Sequence, residues 1–154
     1  MPRTAETASY RFNHTMIRVK DPKASLHFYC DILGMDLIDE HNAGDFTLYF
    51  LGYQHQKVEK RGEREALLEL TWNHGTENQE GQVYVNGNEQ EKQGFGHTCI
   101  AVDDLQTAVK RFDSMGVKFK KRPEDGKMRH IAFIYDPDMY WVEIIETGTG
   151  GTAK

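Results

Sequence analysis

Two stretches decide the fold: HTMIRVKDPKASLHFYCDILGMDLI at residues 14–38 and HTCIAVDDLQTAVKRFDSMGVKFK at residues 97–120. They align once a single residue is skipped near Ile32, so the chain is a degenerate tandem repeat. Each copy opens on an apolar, β-branched run, Ile17 and Val19 in one and Ile100 and Val102 in the other, which suits a pleated strand. An aspartate follows, Asp21 ahead of Pro22 in the first copy and Asp104 in the second. Its carboxylate can accept from the free amides of a helix's first turn, and proline suits that turn because it has no amide to satisfy. Apolar residues then recur at helical spacing, Leu26, Tyr29, Cys30 and Leu33 in one copy and Leu105, Ala108, Val109, Phe112 and Met115 in the other, which predicts one buried stripe on each helix. Gly34 and Gly116 stop the two helices.

Three shorter β-type runs follow each helix. In the first half they are Met35 to His41, Phe46 to Leu51 and Ala66 to Thr71; in the second, Val117 to Lys121, Ile131 to Tyr135 and Trp141 to Ile145. Each half therefore reads βαβββ, and the fold class is α+β with two tandem βαβββ modules. The modules span residues 12–72 and 97–147, after an N-terminal extension over 1–11. Residues 73–96, rich in Glu, Gln, Asn and Gly with an Asn86-Gly87 turn signal, read as the linker. A polar insertion from Gln54 to Glu65 is expected to be exposed, and the 148–154 tail to be disordered.

At 154 residues, with 38% hydrophobic and 11% aromatic content, the chain can bury a core, which sets it apart from disordered sequences. The N-terminal Met-Pro-Arg-Thr-Ala-Glu has no apolar run of signal-peptide length, and no 18 successive apolar residues occur, so a soluble, cytoplasmic protein without membrane contact is expected. Cys30 and Cys99 have no C-x-x-C spacing and read as buried packing in a reducing compartment. The net charge is −5 and the basic residues are dispersed, which argues against nucleic-acid partners. Any anionic ligand must be held locally.

The offset that maps His14 onto His97 also brings Glu69, in Leu-Leu-Glu-Leu, close to Glu143, in Trp-Val-Glu-Ile. Two neutral imidazoles and two carboxylates can surround a borderline divalent ion such as Zn²⁺, Ni²⁺ or Co²⁺ and leave positions for substrate oxygens. The alternative is that the histidines merely begin strands and the glutamates sit on solvent faces. Against it, both glutamates interrupt apolar runs, and a carboxylate inside such a strand needs a partner. The remaining histidines, His27, His41, His55 and His130, read as surface or supporting residues, while His74, beside Asn73, is a candidate for touching substrate.

The strings FNHTMIRVKDP, FYCDILGM, LYFLGY, LELTWNHGTE, GFGHTCIAVDD, GVKFKKRPEDGKM and IAFIYDPDMYWVEIIE together closely resemble glyoxalase I of the vicinal oxygen chelate superfamily, over residues 12 to 146. The resemblance implies curved mixed sheets enclosing a metal site at a homodimer interface. It further implies that His14 and Glu69 of one subunit meet His97 and Glu143 of the other; the sequence would equally permit all four to meet within one chain. The implied reaction converts the hemithioacetal of methylglyoxal and glutathione, the co-substrate, into S-lactoylglutathione. No redox cofactor takes part. A divalent cation would stabilise the enediolate, and a carboxylate would take the C1 proton and return it to C2. By resemblance that carboxylate is Glu143, with Glu69 as ligand and as second base for the opposite enantiomer.

The same resemblance matches Arg18 and Asn73 to γ-glutamyl contacts, and Lys121 with the Gly126-Lys127-Met128 loop to the region that holds the glycyl carboxylate and covers the site. It matches Phe46, Leu48 and Phe50 to the hydrophobic pocket for the hemithioacetal side chain. Arg18 lies four residues beyond His14, and that even separation puts both on one strand face. Several positions depart from the pattern. Gln93 stands where related enzymes carry an arginine for glutathione, with Lys92 nearby to compensate. Met139 stands where glycine usually follows Asp-Pro-Asp, so a rearranged turn is expected. Trp72-Asn73-His74 inverts the commoner order. The long VNGNEQEKQGFGH connection resembles the zinc-type subgroup more than the compact nickel-type one, which implies zinc in preference to nickel, with cobalt compatible. Two other readings share the fold: a different metalloenzyme, such as an acyl-CoA thioester epimerase or a thiol transferase acting on an antibiotic epoxide, and a non-catalytic small-molecule binding module.

Overall fold

The computed structural model describes residues 4–55, 58–89 and 91–150. The chain divides into two compact units, Met1–Gln79 and Glu80–Lys154, each holding one open four-stranded sheet. The first unit runs β1 (His14–Arg18), α1 (Pro22–Leu26, continued as a π-helical turn over His27–Ile32), β2 (Asp36–Asn42), β3 (Phe46–Gly52) and β4 (Leu67–Asn73). The second runs β5 (His97–Val102), α2 (Leu105–Ser114), β6 (Phe119–Lys121), β7 (Ile131–Tyr135) and β8 (Trp141–Glu146). Both units are βαβββ, as the repeat implies.

The sheet orders are β1-β4-β3-β2 and β5-β8-β7-β6. In each, the first strand pairs in parallel with the last, and the other pairings are antiparallel. A parallel pair needs a long crossover, and here the helix and two strands between them supply it. The histidine-bearing strand thereby lies against the glutamate-bearing strand in both units. Alternation along the strands then sorts the side chains. Ile17, Val19, Tyr49, Leu51, Leu68 and Leu70 are buried, whereas His14 and Arg18 of β1 are exposed.

Both helices start as their aspartates require: the Asp21 carboxylate accepts from the Lys23 amide and the Asp104 carboxylate from the Thr107 amide. Gly34 and Gly116 end them with φ of 74° and 70°, the left-handed conformation that glycine adopts without a Cβ penalty. The first helix departs from expectation. Its buried residues are Pro22, Ser25, Phe28, Tyr29 and Ile32, while Leu26, Cys30 and Leu33 are only half-buried. The cause is the π turn, marked by the Leu33 amide donating five residues back to the Phe28 carbonyl at 3.0 Å. A π turn absorbs one extra residue into a helix. It falls where the repeat alignment skips one residue near Ile32.

Other expectations need correction. Cys30 is half-buried and Cys99 exposed, because β5 presents Cys99 on the face opposite Thr98 and Ile100. The 73–96 stretch, in which the two units divide at Gln79, is anchored at its start: Asn73 ends β4, and the buried Thr76 hydroxyl donates to the Lys20 carbonyl at 2.7 Å. Further on, Asn86 is fully buried, with its Oδ1 accepting from the Asn88 and Glu89 amides. At Gly87 a Cβ would lie 2.4 Å from the Phe95 carbonyl oxygen. The Gln54–Glu65 insertion, whose residues 56–57 lie outside the described set, is exposed at most of its described positions, with Val58, Arg61 and Arg64 half-buried. Of the expected terminal segments, residues 1–3 and 151–154 lie outside the described set; Gly148 to Gly150 are exposed. No helix among the described residues is long and apolar enough to cross a membrane.

Candidate metal centre

In the first unit, Met16 on β1 pairs with Glu69 on β4, which pairs in turn with Phe50 on β3. His14 lies two residues before Met16, and its Nε2 comes within 2.9 Å of the Glu69 Oε2. The second unit repeats this register. Cys99 pairs with Glu143 and Glu143 with Phe133, and the His97 Nε2 lies 3.2 Å from the Glu143 Oε2. A phenyl ring meets each imidazole edge to face, Phe50 at 5.5 Å from His14 and Phe133 at 5.2 Å from His97. Among the described residues no three His, Cys, Asp or Glu side chains are grouped to hold an ion. Each unit presents a pair.

The chemistry of the first pair is fixed by its neighbours. The Asn13 side-chain amide donates to the carbonyls of Arg61 and Arg64 at 3.0 and 2.9 Å, so its Oδ1 faces the His14 Nδ1 at 2.8 Å. An amide oxygen only accepts, so Nδ1 carries a hydrogen, and in the neutral ring that leaves the Nε2 lone pair for the side facing Glu69. Two acceptors 2.9 Å apart repel unless a proton or a cation lies between them. Two donors about 2.1 Å from one ion lie about 3.0 Å apart at a right angle and about 3.4 Å apart at a tetrahedral angle, and the separations of 2.9 and 3.2 Å fall near the lower end of that span. The residues present therefore fit a divalent ion.

The two carboxylates are not equivalent. Glu69 is 8% exposed, and its Oε1 accepts from the Thr71 hydroxyl at 3.4 Å. Burying a carboxylate costs several kcal/mol, whereas one hydrogen bond to a charged group returns about 1.5–3 kcal/mol, and at 3.4 Å the Thr71 bond is a long one, so Thr71 alone does not satisfy Glu69. Glu143 is more open, its side chain 20% exposed against 11% for Glu69, and Ile145 stands where Thr71 does. Its neighbour is Cys99, whose thiol is pushed up to about 11, first by partial desolvation and then by the Glu143 charge and hydrogen bond.

The substrate candidates divide between the units. Phe46, Leu48 and Phe50 alternate on β3 opposite Asn73, Thr71 and Glu69, so the apolar strip, Asn73 and the carboxylate share a face with His14 and Arg18. Lys121 lies in the second unit, where its ammonium donates to the carbonyls of Arg122, Met128 and Ile131 at 3.0, 2.7 and 3.2 Å, tying down the loop that carries the half-exposed Met128. Gln93 is exposed and donates to the Asn88 carbonyl. His74 has the opposite parity from Asn73: its ring packs on Trp72 at 4.4 Å and bonds the Thr47 hydroxyl at 2.8 Å. The inverted Trp72-Asn73-His74 order thus builds a structural cluster, closed by the Trp72 indole donating to Glu77. Met139 keeps the turn instead of rearranging it, at φ 67°, with the Asp136 carboxylate accepting from the Asp138 and Tyr140 amides. Reading the sequence missed Asn13 and Arg61. The Arg61 guanidinium lies 3.9 Å over the Phe50 ring and pairs with Asp39 at 2.8 Å.

The family model of the glyoxalase/bleomycin resistance protein/dioxygenase superfamily matches residues 11–144. The chain belongs to that superfamily. Among curated proteins, it is 49% identical to the lactoylglutathione lyase of Schizosaccharomyces pombe, over 94% of this chain and 50% of that protein. It is 47% identical to the lactoylglutathione lyase of Pseudomonas aeruginosa, over 96% of this chain and 88% of that one. The chain thus spans half the length of the first relative and most of the second. Among solved structures, this superfamily member superposes on the trypanothione-dependent glyoxalase I of Leishmania major with a TM-score of 0.70 at 29% identity, covering 92% of this chain and 89% of that one.

Proposed function

We propose that the chain is a lactoylglutathione lyase, isomerising the hemithioacetal of methylglyoxal and glutathione to S-lactoylglutathione with the help of a divalent metal. The observation that carries this reading is the duplicated His/Glu pair, with donor separations of 2.9 and 3.2 Å. The 47–49% identity to two lactoylglutathione lyases supports it.

His14, Glu69, His97 and Glu143 would hold the ion, zinc in preference to nickel and with cobalt compatible, since two imidazoles and two carboxylates form a borderline donor set. Once bound, it supplies Lewis-acid stabilisation of the negative charge that develops on two adjacent oxygens when a C–H proton leaves. The chain's own residues do the rest. Glu143, more open and without a hydroxyl partner, takes the proton from C1 and returns it to C2. Glu69, buried and held by Thr71, serves chiefly as ligand and as base for the opposite enantiomer. Phe46, Leu48 and Phe50 take the apolar part of the substrate and exclude water. Arg18 and Asn73 orient the γ-glutamyl end, and the Lys121-braced loop with Met128 covers the glycyl end.

A second copy of the chain would unite the pairs, His14 and Glu69 of one subunit with His97 and Glu143 of the other, in a symmetric homodimer. The reading also places the enzyme in a reducing, glutathione-bearing cytoplasm, in keeping with two cysteines that lack a disulfide spacing.

The test follows the thioester absorbance of preformed methylglyoxal–glutathione hemithioacetal. Turnover should vanish on chelation and return with Zn²⁺ or Ni²⁺. Absence of metal-dependent turnover would overturn the reading.

A further inference from the structure

We propose that Asn13 is a positioning residue that fixes the tautomer of His14 and couples the insertion around Arg61 and Arg64 to the metal centre. The inference rests on the metal-dependent reading above and deepens it. Three hydrogen bonds carry it. Carbonyls accept only, so the two bonds to Arg61 and Arg64, at 3.0 and 2.9 Å, orient the amide and leave no freedom to flip it. Its oxygen is thereby presented to the His14 Nδ1 at 2.8 Å, which puts the imidazole hydrogen on Nδ1 and the lone pair on Nε2, the atom 2.9 Å from Glu69. A ligand imidazole binds best when its other nitrogen donates to a fixed acceptor, because ring orientation and tautomer are then set before the ion arrives.

The coupling runs in both directions. Arg61 and Arg64 lie 48 and 51 residues from Asn13 in sequence, and these bonds hold their backbone against the start of β1. With its backbone held, the Arg61 guanidinium sits 3.9 Å over Phe50, whose ring edge contacts His14 at 5.5 Å. One amide thus organises the ligand, the aromatic beside it and the cation above that aromatic. The second unit has no counterpart, since Gly96 precedes His97 and brings no side chain. The two imidazoles are therefore held unequally: His14 is preset, and His97 lacks that neighbour.

Two substitutions separate the two roles. Asn13→Asp keeps an oxygen for the imidazole and loses the donors to the loop, whereas Asn13→Ala loses both. The readouts are zinc affinity of the full-length protein by competition with a chromophoric chelator, the His14 ring nitrogens by ¹⁵N-resolved NMR, and tryptic cleavage after Lys60, Arg61 and Arg64. Asn13→Ala should weaken zinc binding about 10- to 100-fold, mix the His14 tautomers and speed cleavage. Asn13→Asp should speed cleavage equally, keep the Nδ1–H tautomer and hold zinc within a few-fold of the parent. Unchanged zinc affinity in Asn13→Ala, or equal loss in both variants, would overturn the proposal. A parent that binds no zinc would instead defeat the metal-dependent reading itself.

Discussion

The two units share one sheet order and one register, yet they hold their His/Glu pairs differently. In the first, Glu69 is buried with Thr71 on its Oε1, and His14 is fixed by Asn13. In the second, Glu143 is more open, Ile145 replaces the hydroxyl and Gly96 replaces the amide. Each of these differences constrains the first pair more than the second. Duplication supplies two similar pairs, and local neighbours hold the first more firmly than the second, in keeping with the roles proposed for Glu69 and Glu143. The helices differ in the same sense: α1 carries a π turn with an added residue, and α2 runs as a regular ten-residue helix.

The largest expected effect falls on that division of labour. Glu143→Gln should lower kcat about 10²- to 10⁴-fold while zinc stays bound, and Glu69→Gln should lose more zinc affinity and less turnover per bound ion. Steady-state kinetics with metal analysis checks this, and the reverse pattern would exchange the roles of the two units. Next comes the pairing of units across chains. His14→Ala and His97→Ala should each be nearly inactive, but co-refolding an equal mixture should restore about a quarter of the parent activity, because half the dimers then own one complete site. No recovery would place all four ligands in one chain.

A smaller effect tests backbone strain, which among the described residues each unit carries at one non-glycine residue near its glutamate strand, Ala66 at φ 56° and Met139 at φ 67°. Met139→Gly should stabilise by about 0.5 kcal/mol, the relief of a left-handed residue less the added chain entropy. A lower denaturation midpoint would show that the Met139 side chain matters more than its backbone. The smallest effect concerns the second helix. Hydrogen bonds from the Thr107 side chain and backbone hold the Asp104 carboxyl below its ordinary value. Its contribution is complete above about pH 4 and is lost as pH falls through the lowered native value. Asp104→Asn should flatten the acid limb of a pH-dependent melting curve, and an unchanged limb would assign acid sensitivity elsewhere.

The repeat made much of this legible. Strand, capping aspartate, helical period and terminal glycine are local signals, and their recurrence exposed both βαβββ modules. Even the π turn left a trace, as the unmatched residue near Ile32. The His/Glu pairs were legible for the same reason, because equivalent strands carry equivalent ligands. Polar composition marked the linker and the insertion, but it reports average exposure and could not show that the Thr76 hydroxyl reaches Lys20 or that the Arg61 carbonyl takes the Asn13 amide. The side of the sheet taken by His74 was not legible, because β4 runs two residues beyond the expected boundary and carries the alternation to Asn73.

The sequence by itself determined the order of elements, the α+β class and the four candidate ligands, since these follow from periodicity and from residue types repeated along the chain. Only the tertiary structure decided how those ligands are held. The bonds from Asn13 to Arg61 and Arg64 close loops of 48 and 51 residues, and no local propensity encodes such a closure. It forms because the insertion turns the Arg61 and Arg64 carbonyls toward residue 13, and Asn13 is the side chain whose amide reaches them while its oxygen meets His14.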